Sequence, residues 1–145
     1  MDELVAECRS GGFSERVSFL GAVEAVEHLG EFDVFVHTSR YESLPYSILE
    51  AIAAGIPIVA TENSGSMATL GRVQRLVKDP DDVAGLASGI REVLTSASER
   101  ERLLQGNATA MHEFSLDVMC SRIEAQYRRL LNRTTARSPN LLGLA

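Results

Sequence analysis

With 145 residues, the chain is long enough for one domain with a buried core, and its 45% hydrophobic and 23% charged residues are ordinary for a globular protein. A formal net charge of −6 argues against a protein that binds nucleic acid, because duplex binding needs a clustered basic face. No apolar run is long enough to span a bilayer, so at most a peripheral membrane contact is expected.

Short runs of β-forming residues alternate with helical patterns along the chain. The runs predicted as strands are Val17–Leu20, Asp33–Thr38, Pro57–Thr61 and Arg75–Val77. Apolar periodicity and capping signals predict helices over Asp2–Arg9, Val23–Leu29, Pro45–Ala54 and Val83–Leu94, then from Ser98 to about His112 and from Leu116 to about Asn132. This alternation predicts an α/β fold, a Rossmann-like parallel sheet with helices on both faces.

The loop after Thr38 is the most informative part of the sequence. In open parallel sheets, ligands bind beyond the carboxyl ends of the strands, which points to the loops after the first three predicted strands. The loop after Thr38 leads into the helix Pro45–Ala54, and the N–H groups from about Ser43 to Ser47 are expected to be free. Such a helix end stabilises an anion, of which a diphosphate is a common biological example.

Glu50 is the only charged residue between Pro45 and Thr61. The helix around it is otherwise apolar, so we expect the carboxylate to be buried, and a buried carboxylate needs a partner. A ligand hydroxyl can fill that role, but so can a backbone N–H or an arginine such as Arg40. Glu42, in the preceding loop, can equally be an ordinary solvated carboxylate. On physical grounds alone, these structural roles stay open.

The stretch DVFVHTSRYESLPYSILEAIAAGIPIVAT resembles the signature of family 4 glycosyltransferases and their close GT-B relatives. Glu42 and Glu50 are separated by seven residues, as in the E-x7-E motif of that family. A hydrophobic strand ending in serine precedes the first glutamate, and Glu-Ala-x-Ala-x-Gly-x-Pro begins at the second. Val17–Gly21 resembles the strand upstream of the motif, and Leu76–Asp82 resembles the next strand and helix start. The resemblance extends roughly from Val17 to Arg102.

The resemblance implies that residues 1–133 are the C-terminal, donor-binding domain of a retaining GT-B glycosyltransferase whose first strands are missing, followed by a frayed tail over residues 134–145. Such enzymes transfer a sugar from a nucleotide-sugar donor and use no metal cofactor, so the nucleotide diphosphate sugar is a substrate. The acceptor-binding domain is expected in the full-length chain or on a second chain, and the isolated chain is expected to be inactive. The alternative is a non-catalytic nucleotide-sugar-binding subunit that acts with a partner chain.

The family's functional positions can be transferred to the matching residues of this chain. Glu42 matches the catalytic glutamate that contacts the donor sugar near the reaction centre. The backbone at Ser43, Leu44 and Pro45 matches the loop that approaches the sugar and the diphosphate. That chemistry asks the protein mainly to position the reactants and to stabilise the leaving group, a task that suits a helix N-terminus.

Two further positions are implied to contact the nucleotide, and two parts of the sequence depart from the family pattern. Glu50 matches the glutamate that holds the ribose hydroxyls, and the turn at Gly21 matches a region near the base. The segment Asn63–Ala68 lacks the glutamate that often follows a Gly-Gly pair there. Ser43-Leu44-Pro45 replaces a common glycine-rich version of the loop. The sequence therefore leaves the nucleotide, the sugar and the acceptor open.

Other polar features have simple structural explanations beside functional ones. The Asp-x-Asp of Asp79–Asp82 is expected to cap a helix rather than to hold a metal-bound nucleotide sugar. His37 ends a predicted strand and is expected to be structural, although it can reach the cleft. Arg128 and Arg129 fit a solvated helix end better than a weak contact with anionic lipid.

The two cysteines bear on the cellular compartment. Cys8 and Cys120 lie far apart and form no Cys-x-x-Cys pair, so neither a metal site nor a redox site is expected. Unpaired thiols are typical of a reducing compartment. The expected location is the cytoplasm, with the membrane surface as a second option.

Overall fold

The computed structural model describes residues 2–71 and 75–136, with the side chains of the last helix described to residue 132. The described residues form three strands, β1 (Phe35–His37), β2 (Ile58–Thr61) and β3 (Arg75–Val77). Their α-helices are α1 (Asp2–Ser10), α2 (Ala25–His28), α3 (Tyr46–Ala53), α4 (Ser64–Leu70), α5 (Val83–Thr95), α6 (Ala97–Glu113) and α7 (Leu116–Ala136).

The three strands form a parallel sheet in the order β1-β2-β3. The central strand β2 is buried along its whole length, and its side chains alternate between the two faces of the sheet. Ile58 and Ala60 pack in one core cluster with Ile48 and Ile52 of α3. Val59 packs in a second cluster that includes Val93 of α5. The predicted α/β fold, a parallel sheet with helices on both faces, is therefore confirmed.

Helix α6 contacts the core clusters on both faces of the sheet. Its Leu103 is fully buried in the cluster around Val59, while Ala110 packs against the cluster around α3. The Nδ2 atom of the buried Asn107 donates a hydrogen bond of 2.8 Å to the Ile56 carbonyl, just before β2. The helix begins at its N-cap Ser96, two residues before the predicted cap at Ser98.

The prediction of a strand at Val17–Leu20 is wrong, because these residues form no regular secondary structure and pair with none of the described strands. Strand-forming residues hold a strand only where a neighbour pairs with their backbone groups and covers one face. Val17, Phe19 and Leu20 are instead exposed. The described part of the sheet thus has three strands where the sequence predicts four.

Helix α4 follows the end of β2 and has no counterpart in the sequence prediction. It begins with a reciprocal cap, in which the Asn63 side chain accepts from the Ser66 N–H at 2.9 Å and the Ser66 hydroxyl accepts from the Asn63 N–H at 2.8 Å. At the other end of the chain, α7 continues to Ala136, beyond the predicted start of the tail at Thr134. The rest of the predicted tail lies outside the described residues.

Candidate functional site

A cavity of about 500 Å³ lies where strands β1 and β2 end. It is lined by the loop after β1, with Arg40, Tyr41, Glu42 and Ser43, and by the start of the segment after β2, with Asn63 and Ser64. This is the carboxyl edge of a parallel sheet, where the topology predicts a ligand site. Of the six predicted site residues, Glu42 and Ser43 line the cavity.

Hydrogen bonds to one carbonyl hold the loop after β1 against the end of β2. The Thr61 hydroxyl donates to the Ser39 carbonyl at 2.6 Å, and the Nδ2 atom of Asn63 donates to the same oxygen at 2.8 Å. Thr61 is fully buried, so its bond is shielded from competing water. These two hydrogen bonds therefore connect the two segments that line the cavity.

The backbone of Glu42 lies directly against Gly65, the second residue of α4. A Cβ atom on Gly65 would lie 2.8 Å from the Glu42 Cβ atom and 2.9 Å from its carbonyl carbon and oxygen. Real Cβ atoms essentially never come this close to other atoms, so only glycine fits at this position. Helix α4 therefore limits movement of the Glu42 backbone toward it.

The Glu42 side chain reaches back toward the last residue of β1. Its Oε1 atom lies 3.7 Å from the Nε2 atom of His37. The His37 side chain is only 9% exposed, whereas that of Glu42 is 33% exposed. The other ring nitrogen of His37, Nδ1, is buried and has no hydrogen-bond partner among the described residues. The carboxylate therefore stands between a buried imidazole and the cavity.

The loop continues from Glu42 into the N-terminus of α3. Pro45 is the N-cap, and the first backbone bonds of the helix run from the N–H groups of Ile48 and Leu49 to its carbonyl, at 3.1 and 3.3 Å. The N–H groups of Tyr46 and Ser47 precede these bonds and belong to the first turn, which lacks intrahelical acceptors. An eight-residue helix thus presents its positive end close to the wall of the cavity formed by Ser43.

The expectation that Glu50 is buried is wrong, since it is exposed on the outer side of α3. Ile48, Ala51 and Ile52 are the buried residues of this helix. At about 100° per residue, Glu50 falls on the side opposite to them. Within the described residues, no side chain pairs with its carboxylate, and the suggested partner Arg40 bonds elsewhere.

Arg40 forms a two-pronged ion pair with Asp81, in the segment that leads into α5. Its Nη1 atom donates to the Asp81 Oδ2 atom at 3.0 Å, and its Nη2 atom donates to Oδ1. The hydrogen bond with Arg40 lowers the pKa of the Asp81 carboxyl, and the same bond raises the pKa of the Arg40 guanidinium. Both side chains are exposed, so the pair contributes little to stability.

The aspartates of the Asp-x-Asp segment take part in structural hydrogen bonds. The Oδ1 atom of Asp82 accepts from the Gly85 N–H at 2.8 Å and caps α5, as predicted, while Asp79 accepts from the Asp81 N–H at 2.9 Å. Over residues 2–71 and 75–132, no group of three or more histidine, cysteine, aspartate or glutamate side chains could hold a metal ion.

Gly21 does not line the cavity. It has a φ of 73°, a left-handed conformation that favours glycine, and it ends the segment at which the sequence predicts a strand. Leu44 and Pro45 also lie outside the lining residues, although they are the two residues that follow Ser43 in the chain. Sequence reasoning did not assign Arg40, Tyr41, Asn63 and Ser64 to the site. The available signal was the position of Asn63 two residues after the buried strand β2, where polar residues reach the carboxyl edge of the sheet.

Residues 1–96 match the model of a known family, the group 1 glycosyl transferases. The chain belongs to this family. The match covers the whole loop after β1 and the segment after β2, and it is consistent with the family 4 resemblance in the sequence. Among curated relatives of this glycosyltransferase chain, the lipopolysaccharide core biosynthesis glycosyltransferase LpsE of Rhizobium meliloti is 33% identical over 111 residues, covering 74% of the chain and 33% of that protein.

Another relative agrees with the assignment, and a solved structure agrees with the fold. The phosphatidyl-myo-inositol mannosyltransferase of Mycobacterium leprae is 30% identical over 132 residues, covering 87% of the chain and 35% of that protein. The sucrose-phosphate synthase from Thermosynechococcus elongatus superposes with a TM-score of 0.77 over 91% of the chain and 34% of its own length. Its 22% sequence identity makes it a comparison of fold alone. The chain spans about a third of the length of these proteins.

In the part of the chain that the structure describes, no helix of this glycosyltransferase chain combines the length and the apolar character that a membrane span requires.

Proposed function

We propose that this chain binds the nucleotide-sugar donor of a glycosyl transfer that retains the anomeric configuration. The observation that supports this most directly is the cavity at the carboxyl edge of the sheet, which combines the Glu42 carboxylate with the nearby N-terminus of α3. A nucleotide sugar offers groups for both, because its sugar hydroxyls can donate to a carboxylate and its diphosphate suits a helix N-terminus.

The proposed chemistry needs positioning and charge stabilisation from the protein. The bond between the anomeric carbon and the diphosphate oxygen breaks, and the leaving diphosphate keeps the electron pair. The acceptor hydroxyl attacks the same face of the oxocarbenium-like sugar and gives its proton to a diphosphate oxygen. Glu42 contacts the donor sugar, while the backbone at Ser43, Leu44 and Pro45 and the first turn of α3 stabilise the developing charge on the diphosphate. This arrangement assigns no step to a metal ion.

The nucleoside end of the donor is assigned to Glu50 and Gly21. Glu50 lies in the second turn of α3, and its exposed carboxylate is free to accept hydrogen bonds from the two ribose hydroxyls. A ribose bound there would extend the ligand along α3, away from the sugar at Glu42. The base is assigned to the turn at Gly21, where the backbone is left-handed with a φ of 73°.

Transfer also requires an acceptor site, which we place on an acceptor-binding domain, either elsewhere in the full-length protein or on a second chain. The match covers only about a third of each of two curated relatives, which fits that proposal. The free thiols of Cys8 and Cys120 support a cytoplasmic location, with the membrane surface as the alternative.

Binding of UDP, GDP, ADP and their sugars to the purified chain tests the proposal. At a ligand concentration about 100 times the dissociation constant, a bound nucleotide should stabilise the chain by about 2.7 kcal/mol, which thermal unfolding detects. Backbone NMR shifts should then change at Glu42, Ser43 and Asn63, with the matching nucleosides as controls that lack the diphosphate. Binding that leaves all three residues unperturbed would contradict the proposed site.

A further inference from the structure

His37 is a buried histidine next to the candidate site that has no role in the function proposed above. It is the last residue of β1, and its backbone pairs with Ala60 of the central strand. Its ring lies near that of Phe35, with the centroids 6.4 Å apart. One ring nitrogen, Nε2, faces Glu42, and the other, Nδ1, is buried without a partner among the described residues.

The surroundings of the two ring nitrogens determine which neutral tautomer of His37 is more stable. A neutral imidazole has one N–H donor and one nitrogen lone pair. A proton on Nδ1 would bury an unpaired donor and would turn the Nε2 lone pair toward the Glu42 carboxylate. A proton on Nε2 instead directs a donor at the carboxylate and leaves only a lone pair buried. The surroundings of the ring therefore favour the tautomer with the proton on Nε2.

The distance of 3.7 Å between Nε2 and Oε1 is too long for a hydrogen bond. Within the described part of the chain, the Glu42 carboxylate has no other side-chain partner, and it is partly exposed. Gly65 packs against the backbone of Glu42, and rotation of the partly exposed Glu42 side chain can close the gap. Hydrogen bonds of this kind are often long in a free enzyme and tighten when the substrate is bound.

We propose that His37, with its proton on Nε2, is a positioning residue that orients the Glu42 carboxylate toward the donor sugar. The inference rests on the proposed function, in which Glu42 contacts that sugar. Oε1 accepts from the imidazole, which leaves Oε2 to accept from a sugar hydroxyl. His37 is the last residue of β1, so the sheet holds its ring in place. The ring can therefore orient a carboxylate that lies on a loop.

The tautomer of His37 can be measured on the purified chain by ¹⁵N NMR at about pH 8.5, where imidazoles are neutral. We expect the proton on Nε2 in the wild type. With a nucleotide sugar bound, that proton should exchange slowly with solvent, and it should exchange faster in Glu42→Met, which removes the carboxylate at similar side-chain length. A wild-type ring with its proton on Nδ1, or an Nε2 proton that exchanges equally fast in the sugar-bound wild type and in Glu42→Met, would overturn the proposal.

A matched pair of variants tests the effect on the sugar. Glutamine at position 37 can place an N–H near the position of Nε2, whereas methionine has a similar shape and no donor. We expect His37→Met to lose about tenfold in affinity for the nucleotide sugar, the effect of losing one hydrogen bond to a charged group, while affinity for the bare nucleoside diphosphate stays unchanged. His37→Gln should recover most of the loss.

The outcomes separate the two proposals. Equal affinity of His37→Met and wild type for the nucleotide sugar would overturn the positioning role, even if nucleotide binding itself is confirmed. Equal losses for the sugar-bearing and the bare nucleotide would also overturn it, because they would indicate a general disturbance of the fold. If the wild type binds no nucleotide, the proposed function fails, whatever the tautomer of His37 proves to be.

Discussion

The Nε2 atom of His37 lies 3.7 Å from the Oε1 atom of Glu42, so the last residue of β1 contacts the loop that the strand leads into. The same loop is tied to the end of β2 through the Ser39 carbonyl, which accepts from Thr61 and Asn63. Gly65 of α4 packs against the backbone of Glu42. The carboxylate is thus positioned by buried contacts at the ends of two strands, although it lies on a loop that borders a cavity.

Gly65→Ala should disturb the site through its contact with Glu42. The added Cβ atom would lie 2.8 Å from the Glu42 Cβ atom, so one of the two backbones must move. We expect a loss of about 1–3 kcal/mol in the free energy of unfolding from overpacking, offset in part by the better helix propensity of alanine. Nucleotide-sugar binding should weaken in parallel, as calorimetry can measure.

Gly30→Ala is the matched control, because nothing lies within 4 Å of a Cβ atom at that position. Its unfolding free energy should change by no more than about 0.5 kcal/mol, with donor binding unchanged. If Gly65→Ala were as well tolerated as the control, the close contact with Glu42 would have no consequence for the site.

Asn63 has two separable tasks, since its Oδ1 atom caps α4 and its Nδ2 atom bonds to the Ser39 carbonyl. Asn63→Asp keeps the capping oxygen and loses the donor, whereas Asn63→Ala loses both. We expect losses of about 1 kcal/mol for Asn63→Asp and about 2 kcal/mol for Asn63→Ala, from one lost bond and from the bond plus the cap. Urea unfolding measures both. Two variants of equal stability would show that the cap contributes nothing.

The sequence predicted those features that depend on local pattern. Strands β1, β2 and β3 and helices α3, α5 and α7 all overlap the predicted ranges, because β-forming runs and apolar periodicity are properties of neighbouring residues. The segment Val17–Leu20 has the same local signal but lacks a partner strand among the described residues, and pairing is a non-local property. Its composition alone could not reveal that.

The site was predictable in part for the same reason. The E-x7-E spacing pointed to Glu42, which lines the cavity, but the exposure of Glu50 depends on which side of α3 faces the sheet. Helix α4 escaped prediction because its sequence, SGSMATL, is rich in small polar residues with weak helix propensity. Its stability comes from the cap at Asn63 and from burial of Thr69 and Leu70. The contact between His37 and Glu42 requires the turn of the loop, which no residue pattern specifies.

Glu50→Ala should weaken nucleotide binding by about 1–3 kcal/mol, the range for a lost hydrogen bond to a charged group. The proposed reason is the loss of contact with the ribose hydroxyls. Calorimetry with the nucleotide and its 2′,3′-dideoxy analogue measures it, and Glu101→Ala, which removes another exposed carboxylate from α6, is the control. If the wild type binds the nucleotide and its dideoxy analogue equally well, the proposal that Glu50 recognises the ribose is wrong.

The isolated 145-residue chain should bind donor without transferring the sugar. The proposed reaction needs an acceptor held against the anomeric carbon and a site closed to water, and the described cavity is lined by only two segments of this chain. Incubation with nucleotide sugars and candidate acceptors, followed by mass spectrometry, measures transfer and hydrolysis. Transfer that depends on Glu42 in this chain alone would contradict the need for a separate acceptor-binding domain.

Glu42→Gln should lower turnover far more than it weakens donor binding when the chain acts together with an acceptor-binding domain. Glutamine keeps the size of the side chain and its hydrogen-bonding oxygen, so the ground-state contact with a sugar hydroxyl is largely preserved. What it loses is the negative charge, which stabilises the positive charge that develops on the sugar only in the transition state.

An interaction that strengthens in the transition state changes the rate constant, whereas uniform binding changes KM alone. We therefore expect kcat and kcat/KM to fall together in Glu42→Gln, with the dissociation constant of the donor nearly unchanged. Glu50→Ala provides the contrast, since its effect should appear in donor binding with kcat largely retained. Steady-state kinetics at saturating acceptor, combined with calorimetry of the donor, separates the two. A Glu42→Gln enzyme with near-normal kcat would exclude a role for this carboxylate in the transition state and would favour a chain that binds the nucleotide sugar without catalysing its transfer.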